Sequence, residues 1–265
     1  MPRTSQPGRS VSSRLLDVLF AFRPGHSRLT LADLTRETGL PHATVRRLAL
    51  ELVGAGALKR APDGAFNVGI RLWQLGTLAP PSVPLRTAAL PFMDDLHTAL
   101  RQHVQLAVLE GTEAVLVERL PAGNAVDDMS RLGGRLPLHC SGVGKVLLAH
   151  AGPELMEQVV AQGLTAYTEH TVTDPARLLE QLDECRETGV AVVLQETTPG
   201  ADSVATRVLD DEGKVVAALS VVVSAGSVDL RTLRPAVVAS GLAVSRRLGW
   251  HPSAGVEEAQ SDRSR

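Results

Sequence analysis

The sequence predicts an α+β chain of two modules: a small helical front that ends in a hairpin, and a larger body of helices on an antiparallel sheet. Three observations predict it. Apolar residues recur at helical spacing through the first fifty positions. The body's strand-like runs are separated by tight turn signals, Glu110-Gly111-Thr112 and Asp211-Glu212-Gly213, which join antiparallel neighbours. Charge divides at the same place: residues 1–75 hold 11 Lys/Arg against 5 Asp/Glu, and the remainder holds 16 against 24. A basic front ahead of an acidic body suits a front that meets a polyanion.

Composition removes several classes. Aromatic residues make up 3% of the 265, so the core is built from Leu, Val and Ala. The longest apolar runs, Val215–Leu219 and Val221–Val223, fall well short of a membrane span, so no membrane partner is expected. MPRTSQPGRS lacks an apolar segment behind its charges, which argues against a signal peptide. Cys140 and Cys185 stand far apart without metal-ligand spacing, as in a reducing cytoplasm, the expected location.

In the front module, Val11, Leu15, Val18, Leu19 and Phe22 mark a first helix that ends before Pro24-Gly25. LTLADLTRETGLPHATVRRLALELVGAGAL follows. Thr30 suits an N-cap, Leu31 and Leu34 turn inward, and Gly39 ends a short second helix. Pro41 opens a third helix that buries Val45, Leu48 and Leu52, leaving His42, Ala43, Arg46 and Arg47 outside. Two helices joined by a Gly turn, the second bearing outward arginines, form a helix-turn-helix. GALKRAPDGAFNVG then reads as two short strands about Pro62-Asp63-Gly64, a wing with Lys59 and Arg60 at its base. The expected DNA-contacting residues are His42, Ala43, Thr44, Arg46 and Arg47 toward base edges, with Lys59 and Arg60 on phosphate.

In the body, helices are expected over Leu85–Arg101, with a turn or kink at Pro91, and over Pro153–Gln162, Pro175–Thr188 and Pro235–Leu248. Strands are expected over Val104–Leu109, Val115–Leu120, Val190–Leu194, Val204–Leu209 and Val215–Val223. Between them lies HCSGVGKV, residues 139–146, the densest cluster of reactive side chains. It fails as a phosphate loop: GxxxxGK[ST] needs a Gly where His139 stands and Ser or Thr where Val146 stands. Zinc fails too, because His139 and Cys140 are adjacent and no second pair is near. A Cys140 nucleophile needs a base, which His97, His150 or His170 would have to supply through the fold. What remains is a glycine turn opening a helix over Val143–His150, whose first N–H groups lack internal partners and favour an anion. Gly142, Val143 and Gly144 then hold a carboxylate, or they simply let the helix pack closely on the sheet.

The helix-turn-helix stretch resembles the IclR family of bacterial transcription regulators. RLPLHCSGVGKVLLAH, YTEHTVTDPARLLEQLDECRETGVAV and ATRVLDDEGKVVAALSV follow in family order, so the likeness runs from about Ser10 to Gly249. It implies a GAF-like effector domain whose pocket includes the Cys140–Gly144 turn. Ser203 stands where the family has a polar pocket residue, and Ser220 stands at a pocket serine. Val193 or the adjacent Leu194 occupies an acidic pocket position and Val222 a second serine, so the ligand expected is less hydrophilic than a small keto acid, with Glu196 a nearby substitute carboxylate. Two departures stand out. Thr35 occupies a position that prefers Ala, and LAPPSVPLR puts Pro80, Pro81 and Pro84 in a linker that is usually helical.

The architecture expected is therefore a winged helix-turn-helix over 10–75, a Pro-interrupted linker over 76–90, a GAF-like antiparallel-sheet effector domain over 91–250 and a disordered tail over 251–265. Its expected partners are a double-stranded DNA operator, a small-molecule effector touching Cys140, Ser141, Gly142, Val143, Gly144, Val193, Glu196, Ser203, Ser220 and Val222, and further copies of itself as a dimer or tetramer. No cofactor, metal or catalytic residue is expected, and repression is favoured over activation. The reading from another class is a Cys140-dependent enzyme with an accessory front module.

Overall fold

Helix α1 (Val11–Phe20) starts at Ser10, whose hydroxyl accepts the Ser13 N–H at 3.0 Å. The computed structural model describes residues 10–23, 25–76, 78, 82–123 and 131–252. Pro24, Pro80, Pro81, the Asp127-Asp128 pair and nearly all of the expected tail lie outside the described residues. The chain divides into two compact units, 1–83 and 84–265.

In the first unit, α2 (Leu31–Thr38) is closed at both ends by local chemistry. Thr30 Oγ1 accepts the Asp33 N–H at 3.2 Å, and an Asp33 carboxylate oxygen accepts the Thr30 N–H at 3.0 Å. This reciprocal pair satisfies donors that the helix itself leaves open. At the other end Gly39 takes φ 63°, a left-handed cap that glycine adopts without strain. Helix α3 (His42–Gly54) follows Pro41 and buries Val45, Leu48 and Leu52 against Val18 and Leu34. Thr35 is accommodated by donating its hydroxyl to the Leu31 carbonyl at 2.7 Å. The wing is β2 (Leu58–Arg60) and β3 (Phe66–Val68), and β1 (Arg28–Leu29) adds a third strand beside β3. Two residues are too short a run to show strand alternation, so β1 was invisible in the sequence. Helix α4 (Ile70–Gly76) buries none of its residues, and Trp73 is exposed.

The second unit takes in α5 (Ser82–Leu100) from Pro84 onward. Pro84 falls in its first turn, where the missing N–H costs nothing; α4 ends at Gly76 and this helix starts at Ser82, in keeping with the expected Pro-interrupted linker. The helix also runs on through Pro91. Strands β4 (His103–Glu110), β5 (Glu113–Leu120), β6 (Arg135–Pro137), β7 (Val190–Leu194), β8 (Ala201–Leu209) and β9 (Val215–Ser224) form one antiparallel sheet in the order β6-β5-β4-β9-β8-β7. The three-residue β6 was another omission of the sequence reading.

Helices cover both faces. On one, α6 (Gly142–Ala149), α7 (Pro153–Gln162) and α8 (Pro175–Thr188) enclose Leu116, Val146, Leu148, Leu178 and Leu182. On the other, α5 and α9 (Leu230–Arg247) enclose Met93, Val104, Leu219, Val221 and Val237. Asp229 caps α9, so that helix starts a turn before the expected Pro235, which lies inside it. Alternation decides which strand residues meet which layer: Ala205 faces α6, while Val204 and Val208 face α5 and α9. No helix among the described residues is long and apolar enough to cross a membrane.

Candidate functional site

The first unit offers an exposed cationic face. On α3, His42, Ala43, Arg46 and Arg47 are exposed and Thr44 is half-buried, because Val45, Leu48 and Leu52 claim the opposite face. The two arginines differ. Arg47 pairs with Glu51 one turn on, at 2.6 Å, whereas Arg46 makes no ion pair among the described residues. Lys59 and Arg60 are exposed on β2. Asp63, at the wing tip, pairs with Arg28 of β1, and that guanidinium holds its carboxyl below the usual range. The tip is thereby neutralised and tied to the sheet.

In the second unit a narrow cleft opens where α6 meets the sheet, with about 450 Å³ of empty space counting its solvent-open mouth. Of the expected effector residues, Ser141, Gly142, Val143, Val193, Ser203, Ser220 and Val222 line it. Strand register brings the last four together: Val193 pairs with Ser203, Ser203 with Val222, and Ser220 lies two residues before Val222 on β9. At Gly142 α6 approaches β8 closely, since a Cβ there would sit 2.7 Å from Ser203 Oγ.

Cys140, Gly144 and Glu196 do not line the cleft. Gly144 serves packing: a Cβ there would lie 2.5 Å from the Pro137 carbonyl oxygen, and its N–H is taken by Ser141 Oγ at 3.1 Å. Only Gly142 and Val143, the first two residues of α6, keep amides with no partner among the described residues. Glu196 is turned away to pair with the buried Lys145, so it does not act as the substitute pocket carboxylate. Gln105, Leu136, Thr197, Thr198 and Ala201 complete the lining and were missed. A lone Gln in the apolar run VQLAVL was the available signal for Gln105; the threonines carried none.

Cys140 is fully buried, and burial pushes its thiol up to about 12. The Thr197 hydroxyl lies 3.8 Å from its sulfur but gives its proton to the Cys140 carbonyl at 2.7 Å. The histidines are occupied elsewhere: His139 Nε2 with the Thr165 carbonyl at 3.0 Å, His150 Nδ1 with the Val146 carbonyl at 2.8 Å, and His97 Nδ1 with the Gln102 carbonyl at 2.8 Å. His170 lies exposed beside Glu169. Burial therefore disfavours the thiolate, the form a cysteine nucleophile needs. Among the described residues no group of three or more His, Cys, Asp or Glu is placed to hold a metal.

Residues 12–62 match the IclR helix-turn-helix domain, and 79–247 match the IclR C-terminal domain of bacterial transcriptional regulators. An IclR homologue from Microbacterium hydrocarbonoxydans, solved in complex with 4-hydroxybenzoate, shares the fold at a TM-score of 0.85. It is 35% identical, over 90% of this chain and 99% of that one. The transcriptional regulator XynR of Escherichia coli K12 is 31% identical over 242 residues, covering 89% of this chain and 96% of its own. The repressor AllR of the same strain is 32% identical over 219 residues, covering 82% and 81%. The exposed arginine face on a helix-turn-helix, the antiparallel effector-type domain behind it and these likenesses along both units place the chain in one family: it belongs to the IclR family of bacterial transcriptional regulators.

Proposed function

We propose that this regulator is a cytoplasmic repressor that binds a palindromic operator as a dimer or dimer of dimers and responds to a small carboxylate with an apolar body. The operator is double-stranded DNA. The α3 residues His42, Ala43, Thr44 and Arg46 read bases, Arg47 supports them, and Lys59 and Arg60 hold phosphate. The relatives named as repressors support the sign of regulation.

One observation carries the effector class: the cleft holds the two unpartnered amides at the start of α6, while its lining contains no Lys or Arg. An anionic end would therefore be met by backbone N–H groups and the helix dipole, not by a cation. Leu136, Val143, Val193 and Val222 suit an apolar body, and Gln105, Ser203 and Ser220 suit a second polar group. The 4-hydroxybenzoate bound by the Microbacterium homologue has both features and is the natural first probe. The glycine turn acts as a binding floor; no catalysis is proposed for Cys140.

The test is fluorescence anisotropy with the gene's own upstream DNA at two salt concentrations, against unrelated competitor DNA. Specific binding that weakens with salt, and that shifts when 4-hydroxybenzoate is added, supports the reading. Specific binding that no aromatic carboxylate alters removes the effector class. Absence of any preference for that DNA removes the proposed operator.

A further inference from the structure

Lys145 and Glu196 are the most deeply buried ion pair among the described residues, their side chains 2% and 6% exposed. Neither lines the cleft, yet each is one step from its wall. Lys145 lies three residues after Gly142 and two after Val143 on α6. Glu196 immediately precedes Thr197 and Thr198.

The turn that carries those threonines is held from several sides. Lys145 Nζ donates to Glu196 and, at 2.7 Å, to Gln181 Oε1 of α8. The Thr171 hydroxyl donates to the Glu196 carbonyl at 2.6 Å, and Thr197 Oγ1 donates to the Cys140 carbonyl at 2.7 Å. Gln195 stands at φ 55°, a left-handed conformation that a side-chain-bearing residue seldom takes, and its side-chain carbonyl accepts the Gly200 N–H at 2.9 Å. Such a backbone persists only where its surroundings over-determine it. A buried ion pair contributes little net stability, because desolvating both charges offsets their attraction. Removing one partner leaves a charge stranded in the core. Geometry, not stability, is what the pair supplies here.

We propose that Lys145 and Glu196 are a positioning pair that fixes the two walls of the effector cleft, the start of α6 and the 195–200 turn, at their binding separation. This rests on the effector reading above and adds to it residues that never touch the ligand. Breaking the pair frees the turn, moves Thr197 and Thr198, and weakens effector binding while leaving the DNA-binding unit unaltered.

The experiment is amide hydrogen exchange on the full chain: wild type, Lys145→Met, Glu196→Gln, the double variant and Glu196→Asp. The neutral variants, single and double, are each expected to exchange at least tenfold faster across 195–201, with α3 and β4 unchanged; because the double variant has no stranded charge, its return to wild-type exchange would assign the loosening to that charge and overturn the proposal. Glu196→Asp keeps the charge but withdraws it by one methylene. It decides the matter if the neutral single variants do not fold, and it too is expected to loosen 195–201. Unchanged exchange there, or loosening spread evenly through the sheet, overturns the proposal. Titration of wild type and Glu196→Asp with 4-hydroxybenzoate is expected to show a tenfold weaker Kd in the variant. Equal affinity overturns the link to binding. If wild type itself does not bind, the effector reading fails for that ligand, and the exchange data still decide whether the pair holds the turn.

Discussion

Helices α3 and α6 both follow a turn and both carry a cation within their first two turns, yet they use it in opposite ways. On α3, Arg46 projects into solvent from an amphipathic helix, free to meet a negatively charged partner. On α6 every residue from Gly142 to Ala149 is buried, and Lys145 is spent on Glu196 inside the protein. One helix presents a surface and the other shapes a cavity. The difference teaches that a cation in a glycine-bounded motif says little until its burial is known: exposed, it recruits a partner; buried, it must already have one.

The contrast can be broken most sharply at the thiols. If the α6 region is a closed, uncatalytic core, Cys140 reacts with a thiol reagent at pH 8 only when the protein opens. Its thiol is pushed up to about 12 by burial, against an ordinary value near 9, so the thiolate fraction is about a thousandfold below that of a free cysteine. Reaction in the native state at a free-thiol rate would return Cys140 to contention as a nucleophile.

Next in size is a pair of glycine variants that should separate packing from binding. Gly144→Ala drives a methyl against the backbone of Pro137 and Leu138 and is expected to destabilise the second unit by about 3 kcal/mol, read by denaturant melting. Gly142→Ala meets the movable Ser203 hydroxyl, so it is expected to cost about 1 kcal/mol of stability but to weaken effector binding more than tenfold. Equal melting losses with equal affinity losses would mean that both glycines only pack.

On the other side of the comparison, DNA binding distinguishes the two arginines of α3. Arg46→Ala is expected to cost about 2 kcal/mol of operator affinity and to relax specificity at one base position. Arg47→Ala, whose side chain is already shared with Glu51, is expected to cost less and to act evenly across sequences. A reversed ranking in competition binding would make Arg47 the base reader.

The sequence by itself determined the elements that local chemistry decides. Thr30, Gly39, Asp174 and Gly189 end their helices through contacts within a few residues, so composition and spacing suffice to locate them. The inward faces of α2 and α3 followed from periodicity for the same reason, whereas in the pattern of α1 Val18 is buried and Val11 is exposed. Elements too short for a period, β1 and β6, were not legible, and neither was the start of α9, where Asp229 outweighs Pro235. In the cleft, the resemblance supplied Ser203, Ser220 and the glycine turn, but Thr197, Thr198 and Gln105 reach it only through a turn geometry and a strand register that pairing across the sheet sets. Only the tertiary structure decided that Gly142 meets Ser203 at the cleft and that Glu196 belongs to Lys145, because these pairings join residues about fifty to sixty positions apart in the chain.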